Sequence, residues 1–177
     1  MRRLHEVRKR LPKRDPIAAY KREVTAARRI GEGRKCACGE ARPEALIADS
    51  SPVICAECDR KRNGMKTEDD HHIAAEANDS TTIPAPVNDH RAELSVAQAD
   101  WPKRTLENPD GSPVLARAAC IRGDVDTMIY LAEKLLIPSA EILEILDEHL
   151  VQERGPKYWV GTKLERFQRK PKPDDKA

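Results

Sequence analysis

The chain has 177 residues, of which 39% are hydrophobic, 3% aromatic and 35% charged, and its net charge is +2. This supply of apolar side chains builds one modest core or two very small ones, and leaves other segments dependent on a metal or a partner. No apolar run is long enough for a transmembrane helix, and the basic N-terminus lacks the apolar segment of a secretory signal. We therefore expect a cytoplasmic protein without a membrane partner.

Residues 1–35 form a basic arm that we expect to be helical. They hold 13 basic and four acidic residues, a net charge of +9, so the rest of the chain carries −7. This asymmetry is typical of polyanion binding, because each phosphate contact releases a counterion, although a solvated tail is the alternative. Pro12 and Pro16 interrupt the arm. The apolar spacing of residues 17–30 predicts an amphipathic helix that ends at Gly31.

Four cysteines follow in two close pairs, CACG and CAEC, which contain Cys36, Cys38, Cys55 and Cys58. Two tight turns that each aim two sulfurs at one point make a tetrahedral cage of the kind that Zn²⁺ prefers. Disulfides and an iron–sulfur cluster are the alternatives, disfavoured by the lack of a secretion signal and by the spacing. Four thiolates complete the coordination sphere, so we expect a structural zinc. The fifth cysteine, Cys120, is expected to be a buried free thiol.

Three of the five histidines lie in the segment TEDDHHIAAEANDSTTIPAPVNDHR. HHIA predicts a strand, EANDSTT a loop and IPAPV a second strand, and Asn88 or Asp89 then caps a helix. A strand–loop–strand–helix unit folds back on itself, so we expect His90 to approach His71 and His72. Converging imidazoles can hold a divalent metal and still leave positions for water.

The C-terminal third has a helical pattern. Ser112 caps a short helix that runs to Cys120, and Asp124 and Ser139 cap two longer amphipathic helices. Pro138 predicts a tight turn between these two helices, which should therefore form an antiparallel pair.

The order of these features resembles the HNH endonucleases, whose core is a ββα-metal finger. Cysteine pairs, HHIA, an Asn-bearing loop and NDHR follow one another across about residues 36–101. The stretch NDHRAELSVAQADWPKRTLENPDGSP is also similar to HNH-like proteins of phages and bacteria. The resemblance implies a small α+β fold. Its ββα-metal finger is braced by a zinc knuckle and flanked by an N-terminal basic helix and a C-terminal helical pair.

The resemblance also implies an activity, the metal-dependent hydrolysis of DNA phosphodiester bonds. His72 would be the general base that takes a proton from water. His71 and His90 would hold Mg²⁺ or another divalent metal, in addition to the structural Zn²⁺. The metal would stabilise the negative charge that develops on the leaving oxygen.

Two further residues are candidates for supporting His72. In common family members an Asn lies nine residues before the last His, a position occupied here by Thr81. We therefore expect Asn78 to orient the base, with Asn88 as the alternative. Strand alternation places Asp70 on the same face as His72, so an Asp70–His72 dyad is a second arrangement.

The predicted organisation has four parts: a basic arm (1–35), a zinc knuckle with the finger (36–107), a helical region (108–155) and a partly disordered tail (156–177). The residues expected to contact DNA are basic: Arg8, Lys9, Arg10, Lys13, Arg14, Arg60, Lys61, Arg62 and Lys66. Two other interpretations remain open. One is a zinc-containing DNA-binding protein with a decayed active site. The other is an interaction protein whose C-terminal helices form a homodimer or a partner surface.

Overall fold

The structure is a computed structural model that describes residues 16–168. It is a small α+β fold with one two-stranded antiparallel sheet, as the sequence predicts at this level. The chain divides into two compact units, one that ends at Glu133 and one that begins at Lys134. Within the described part of the chain, no helix combines the length and apolar character needed to cross a membrane.

The first unit contains two strands and most of the helices. They are α1 (Pro16–Ile30), α2 (Ala56–Arg62), β1 (Glu68–His72), β2 (Thr82–Pro86), α3 (87–99), α4 (Lys103–Glu107) and α5 (Pro113–Leu131). Helix α3 is built from three consecutive pieces, Val87–Asp89, a wide π-helical turn over His90–Leu94, and Ser95–Ala99.

Helix α1 has the bounds that its apolar spacing predicts, and it ends at Gly31, whose φ of +93° suits glycine. The apolar face that its spacing predicts is buried only at one end of the helix. Ile30 is buried, and so is Ala19, whereas Ile17 and Tyr20, on the predicted apolar face, are 67% and 65% exposed. The helix is also tied to the end of α3 by an ion pair between Arg22 and Asp100.

The knuckle between α1 and α2 has its own small core, formed by Ile30, Leu46, Ile54 and two of the cysteines. A single antiparallel bridge between Leu46 and Cys55 joins its two halves. Because this core is so small, a bound metal would add much of the free energy that folds the knuckle.

Strands β1 and β2 pair so that His71 lies opposite Ile83. β1 begins at Glu68 and ends at His72, so it lies earlier in the chain than the predicted HHIA strand. Along β1, residue 71 is buried and residues 68 and 70 are exposed, as alternation requires. Behind the sheet, Ala85, Leu94 and Tyr130 form a second small core.

The two predicted helices on either side of Gly123 are one continuous helix, α5, so the predicted break before Asp124 is wrong. A Cβ placed on Gly123 would lie 1.9 Å from the carbonyl oxygen of Ile73. The glycine is therefore a point of close approach between α5 and the loop after β1, and it does not end a helix. Ser112 caps α5 as predicted, since its side chain accepts from the N–H of Leu115.

The predicted turn at Pro138 is also wrong, and with it the argument for an antiparallel helical pair. Residues 132–136 form a wide π-helical turn, and α6 (Ile137–Arg154) follows at once. Pro138 is the second residue of α6, and a π-helical turn is one of the arrangements that accommodate a proline in a continuous helix. Past α6, the described part of the predicted tail contains turns and a short 3₁₀ helix, Lys163–Phe167.

Candidate functional site

The structure brings the four predicted cysteines together, and their Sγ atoms all lie within 4.8 Å of one another. Cys36 lies in a tight turn closed by a 2.9 Å hydrogen bond from the N–H of Gly39 to its carbonyl oxygen. Cys55 is the N-cap of α2, and Cys58 follows within the first turn of that helix. All four are free thiols. The cluster can therefore hold a structural metal such as zinc.

Cys36 and Cys58 differ in their readiness to ionise. Burial opposes ionisation of Cys36, but hydrogen bonds from the backbone of Cys38 and Cys55 and from neighbouring thiols lower its pKa to about 6. Hydrogen bonds that the Cys58 thiol donates to Cys38 and Cys55, together with burial, raise its pKa to about 12. Without a metal, Cys36 therefore ionises more readily than Cys58. Binding of a metal must displace the proton of Cys58, which makes metal affinity dependent on pH.

The finger brings together two of the three predicted histidines. The rings of His71 on β1 and His90 on α3 lie edge to face, with centroids 5.2 Å apart. Asp69, two residues before His71 and on the same face of β1, lies 3.2 Å from Nδ1 of His90 through its Oδ2 atom. The sheet and the first turns of α3 therefore assemble a cluster of His71, His90 and Asp69, which we call the histidine cluster.

Asp69 is held from its other oxygen by Arg60, whose Nη1 donates to Oδ1 at 2.7 Å. Partial burial opposes ionisation of Asp69, but the hydrogen bonds from Arg60 and His90 outweigh it and lower its pKa. Asp70, the carboxylate predicted for a dyad with His72, is exposed, and Asp69 was not among the predicted site residues. Asp69 could have been found from strand alternation. If His71 faces helix α3, residue 69 lies on that same face of β1 and residue 70 lies on the opposite face.

His71 is 3% exposed. Burial, followed by the nearby His90 and His72, lowers the pKa of His71 to about 4. The ring is therefore neutral at pH 7, which is the form that binds metals. Its Nε2 lies 3.3 Å from Nε2 of Gln98, which also donates to the carbonyl oxygens of His72 (2.6 Å) and Ile73 (3.2 Å).

His72, the last residue of β1, faces away from the histidine cluster by the same alternation. Its Nδ1 is buried without a hydrogen-bond partner. Asn78, expected to orient it, instead donates to the carbonyl oxygens of Ala74 and Thr105 at 3.0 Å and so ties the loop to α4. Asn88, the alternative, forms a reciprocal pair with Glu57: its Oδ1 accepts from the N–H of Glu57, and its Nδ2 donates to the carboxylate.

The basic residues expected to contact DNA are placed differently from one another. Arg8, Lys9, Arg10, Lys13 and Arg14 lie outside the described residues. Lys61 and Arg62 are exposed on α2. Arg60 is occupied by Asp69 and by backbone carbonyls, so its observed role is to position a carboxylate.

A second ion-paired group joins the knuckle to the finger. The guanidinium of Arg42 donates to Glu40 (2.6 Å from Nη2), to Asp89 (2.8 Å) and to Glu93. Hydrogen bonding with Arg42 outweighs partial burial and lowers the pKa of Glu40 to about 2. Glu40 belongs to the turn that follows Cys38, and the other two acids belong to α3. Arg42 therefore fixes the cysteine cluster relative to the helix that carries His90.

The chain matches no protein-family model, no curated protein and no solved structure. The resemblance to the HNH endonucleases therefore depends on the residues and the local geometry alone. Within residues 16–168, the four cysteines are the group in which at least three His, Cys, Asp or Glu side chains lie close enough to share one metal ion. The histidine cluster offers fewer converging ligands.

Proposed function

We propose that the protein is a metal-dependent endonuclease of the HNH type, which hydrolyses phosphodiester bonds of DNA. The observation that supports the proposal is the meeting of His71 and His90, with centroids 5.2 Å apart, in a strand–strand–helix unit. A cysteine cluster suited to structural zinc lies directly before that unit in the chain. Both features stand in the order that the family resemblance implies.

His71 and His90 would hold the catalytic metal. A carboxylate only accepts hydrogen bonds, so the contact with Asp69 places the hydrogen of His90 on Nδ1 and leaves Nε2 free for an ion. The lowered pKa keeps His71 neutral. Two protein ligands suffice for Mg²⁺ or a similar ion, because waters and the substrate phosphate complete its sphere. The bound ion would supply charge stabilisation at the leaving oxygen.

His72 would take the proton from the attacking water, since a neutral imidazole nitrogen can accept a proton as a general base. It is next to His71 in the chain and is the last residue of β1. Its unpartnered Nδ1 means that packing, and not a hydrogen bond from Asn78, would hold the ring. This arrangement differs from the family pattern, in which an Asn or a carbonyl fixes the base.

The experiment that tests the activity is nicking of supercoiled plasmid in Mg²⁺, Mn²⁺ or Ni²⁺. Loss of a general base costs about 100-fold or more in rate, so we expect His72→Ala to abolish visible nicking, and His90→Ala to do the same by removing a ligand. His149→Ala is the matched control, because His149 is an exposed histidine on α6. Equal nicking by His72→Ala and His149→Ala proteins would refute the assignment.

The second candidate function is a zinc-containing DNA-binding protein without catalysis. Two observations favour this candidate. Nδ1 of His72 has no hydrogen-bond partner to orient the ring, and Asn78, which was expected to orient it, donates to the carbonyl oxygen of Thr105 instead. This candidate predicts salt-sensitive retardation of DNA and no nicking with any of the three metals. Nicking that depends on His72 excludes it.

We also propose that the protein self-associates through α6, which is compatible with either candidate function. Leu136, Leu143 and Leu150 recur every seven residues, the spacing of a two-helix seam. Leu136 and Leu143 are exposed. We expect the native protein to sediment as a dimer at micromolar concentration and Leu143→Glu to sediment as a monomer, since a buried charge opposes the seam. Glu144→Gln, at an exposed neighbouring position, should leave the dimer intact; a native monomer would contradict the proposal.

A further inference from the structure

A groove of about 590 Å³ lies beside the cysteine cluster and is separate from the histidine cluster in its lining. Arg34, Lys35 and Arg62 provide three cations along it, and Pro52, Val53 and Ile54 provide apolar surface. Arg34 and Lys35 come directly before Cys36, and Arg62 ends α2, so the fold of the knuckle brings cations from two distant segments together.

These three cations have no carboxylate partner in the part of the chain that the structure describes. Arg34 is positioned by two backbone carbonyls, donating to Ile30 at 3.3 Å and to Ser50 at 3.5 Å. The three cations differ in this respect from Arg42 and Arg60, which are both held by acids. Unpaired guanidinium and ammonium groups gathered in a groove suit an anion that approaches from solvent.

A zinc-loaded cysteine cluster would not neutralise all of this positive charge. Four thiolates around one Zn²⁺ carry a net charge of about −2, and the three cations exceed it. Pro52 is exposed and Val53 half-buried beside these cations, so an occupant with some apolar surface can lie against them. The backbone of DNA offers both features, since its phosphates can meet the cations while the C–H groups of its sugars lie against Pro52 and Val53.

We propose that this groove binds the phosphodiester backbone of DNA. The proposal rests on the proposed function for its choice of polyanion, and it assigns to Arg34, Lys35 and Arg62 the positioning of substrate. Backbone contacts fix the register of a protein on DNA without reading sequence. The groove would therefore set where the DNA lies and leave cleavage to the histidine cluster.

The test measures DNA binding apart from catalysis. Zinc-loaded full-length protein is titrated into a fluorescein-labelled duplex of about 20 base pairs with no added divalent metal, and anisotropy is followed at several salt concentrations. We expect Lys35→Gln and Arg62→Gln each to weaken binding about 3- to 10-fold and to lower the salt slope by about 1, the value for one lost phosphate contact. Arg117→Gln is the matched control, at an exposed cation on α5 that does not line the groove.

Two results would overturn the proposal. One is binding by the Lys35→Gln and Arg62→Gln proteins that equals binding by the Arg117→Gln protein. The other is weaker binding that accompanies loss of zinc from the same variants, because the cations would then serve the cysteine cluster. Failure of the nuclease assignment gives a different result: DNA is bound through the groove, with the expected salt slopes, but plasmid is not nicked. If both groove variants nick plasmid and bind DNA with unaltered affinity, the proposed role of the groove is wrong and the nuclease proposal stands.

Discussion

Asp69 determines which nitrogen of His90 is available to a ligand. The carboxylate accepts from Nδ1 at 3.2 Å and is itself held by Arg60 at 2.7 Å. Such outer partners of a metal-binding histidine fix its tautomer and raise its basicity. The chain Arg60–Asp69–His90 therefore acts on the proposed metal site without contributing a ligand from Arg60 or Asp69.

Asp69→Asn is expected to weaken binding of the proposed catalytic metal about 10- to 100-fold, the usual cost of losing an outer partner. The amide keeps the shape of the carboxyl group but lacks its charge. The measurement is the Mn²⁺ concentration that gives half-maximal plasmid nicking. Asp70→Asn is the control, since Asp70 is exposed on the other face of β1. An equal metal requirement in the two variants would show that Asp69 has no such role.

The lowered pKa of His71 makes the protein sensitive to acid. In the unfolded chain this histidine titrates near pH 6.5, and in the folded protein near pH 4, so the unfolded state binds more protons between these values. The stabilisation from neutral His71 is complete above pH 6.5 and is lost as the pH falls towards 4. Between pH 7 and pH 5 the loss is about 2 kcal/mol.

Urea denaturation at pH 7 and pH 5 measures this contribution. We expect the free energy of unfolding of the native protein to fall more steeply with acid than that of His71→Gln, by about the same 2 kcal/mol. Comparison of the two proteins cancels the acid sensitivity of the cysteine cluster, which both retain. His149→Gln should behave as the native protein does. Parallel pH dependence of the native and His71→Gln proteins would mean that His71 does not titrate at a lowered pKa.

At the scale of single elements, Gly123 shows how a packing constraint can imitate a helix end. Glycine in a helix interior is destabilising by about 0.5–1 kcal/mol relative to alanine, so a glycine followed by aspartate reads as a boundary. The carbonyl of Ile73, which a Cβ would meet at 1.9 Å, gives the actual reason for the glycine.

Gly123→Ala is therefore expected to lower the free energy of unfolding by about 2 kcal/mol, in the range of overpacked sites, although alanine has the higher helix propensity. Thermal or urea denaturation followed by circular dichroism measures the change. Arg122→Ala, at the exposed preceding position of α5, should change the free energy of unfolding by less than about 0.5 kcal/mol. If Gly123→Ala instead raises the free energy of unfolding, the carbonyl of Ile73 must lie farther from α5 than it does in this structure.

The sequence was sufficient for features that depend on local chemistry. Paired cysteines predicted a cluster that the structure assembles, apolar spacing predicted α1, and Ser112 was identified as a cap. Features that depend on distant contacts could not be predicted in this way. Asn78 was assigned to His72 on the assumption that the loop folds over the strand, whereas the carbonyl of Thr105, 27 residues away, accepts its hydrogen bond.

Arg60 and Pro138 show that one residue type has more than one use. Arg60, predicted to contact DNA because it is basic, is paired with an acid nine residues later, and its contact with DNA stays a prediction. Pro138 was taken as a turn because proline usually ends a helix, yet it stands near the start of α6 after a wide turn. In both cases the deciding information is the neighbouring geometry, which composition and spacing do not contain.

At the scale of the whole molecule, the cores are small and separate. In the described part, one core belongs to the knuckle, one surrounds Trp101, and one lies behind the sheet at Leu94. Cores of this size provide little free energy on their own, so the metal bound by the cysteines is expected to contribute substantially to folding.

Metal analysis and denaturation of two cysteine variants test this contribution. We expect Cys36→Ser to purify with less than one zinc per chain and to lose the cooperative unfolding of the native protein, since a serine oxygen is a poor zinc ligand. Cys120→Ser should keep one zinc per chain, because Cys120 packs near Trp101 outside the cluster. Full zinc content in the Cys36→Ser protein would exclude the four-thiolate site.

Two sets of contacts hold helix α3, which carries His90, to the knuckle. Glu57, between Cys55 and Cys58, forms hydrogen bonds with Asn88, and Arg42, four residues after Cys38, forms ion pairs with Asp89 and Glu93. Both sets of contacts begin within four residues of a cysteine of the cluster. Oxidation of the thiolates would therefore weaken both contacts at once and allow His90 to move away from His71. If the cysteines hold zinc, we expect the proposed activity to be lost on oxidation before the helices unfold, and to return with reducing agent and fresh zinc.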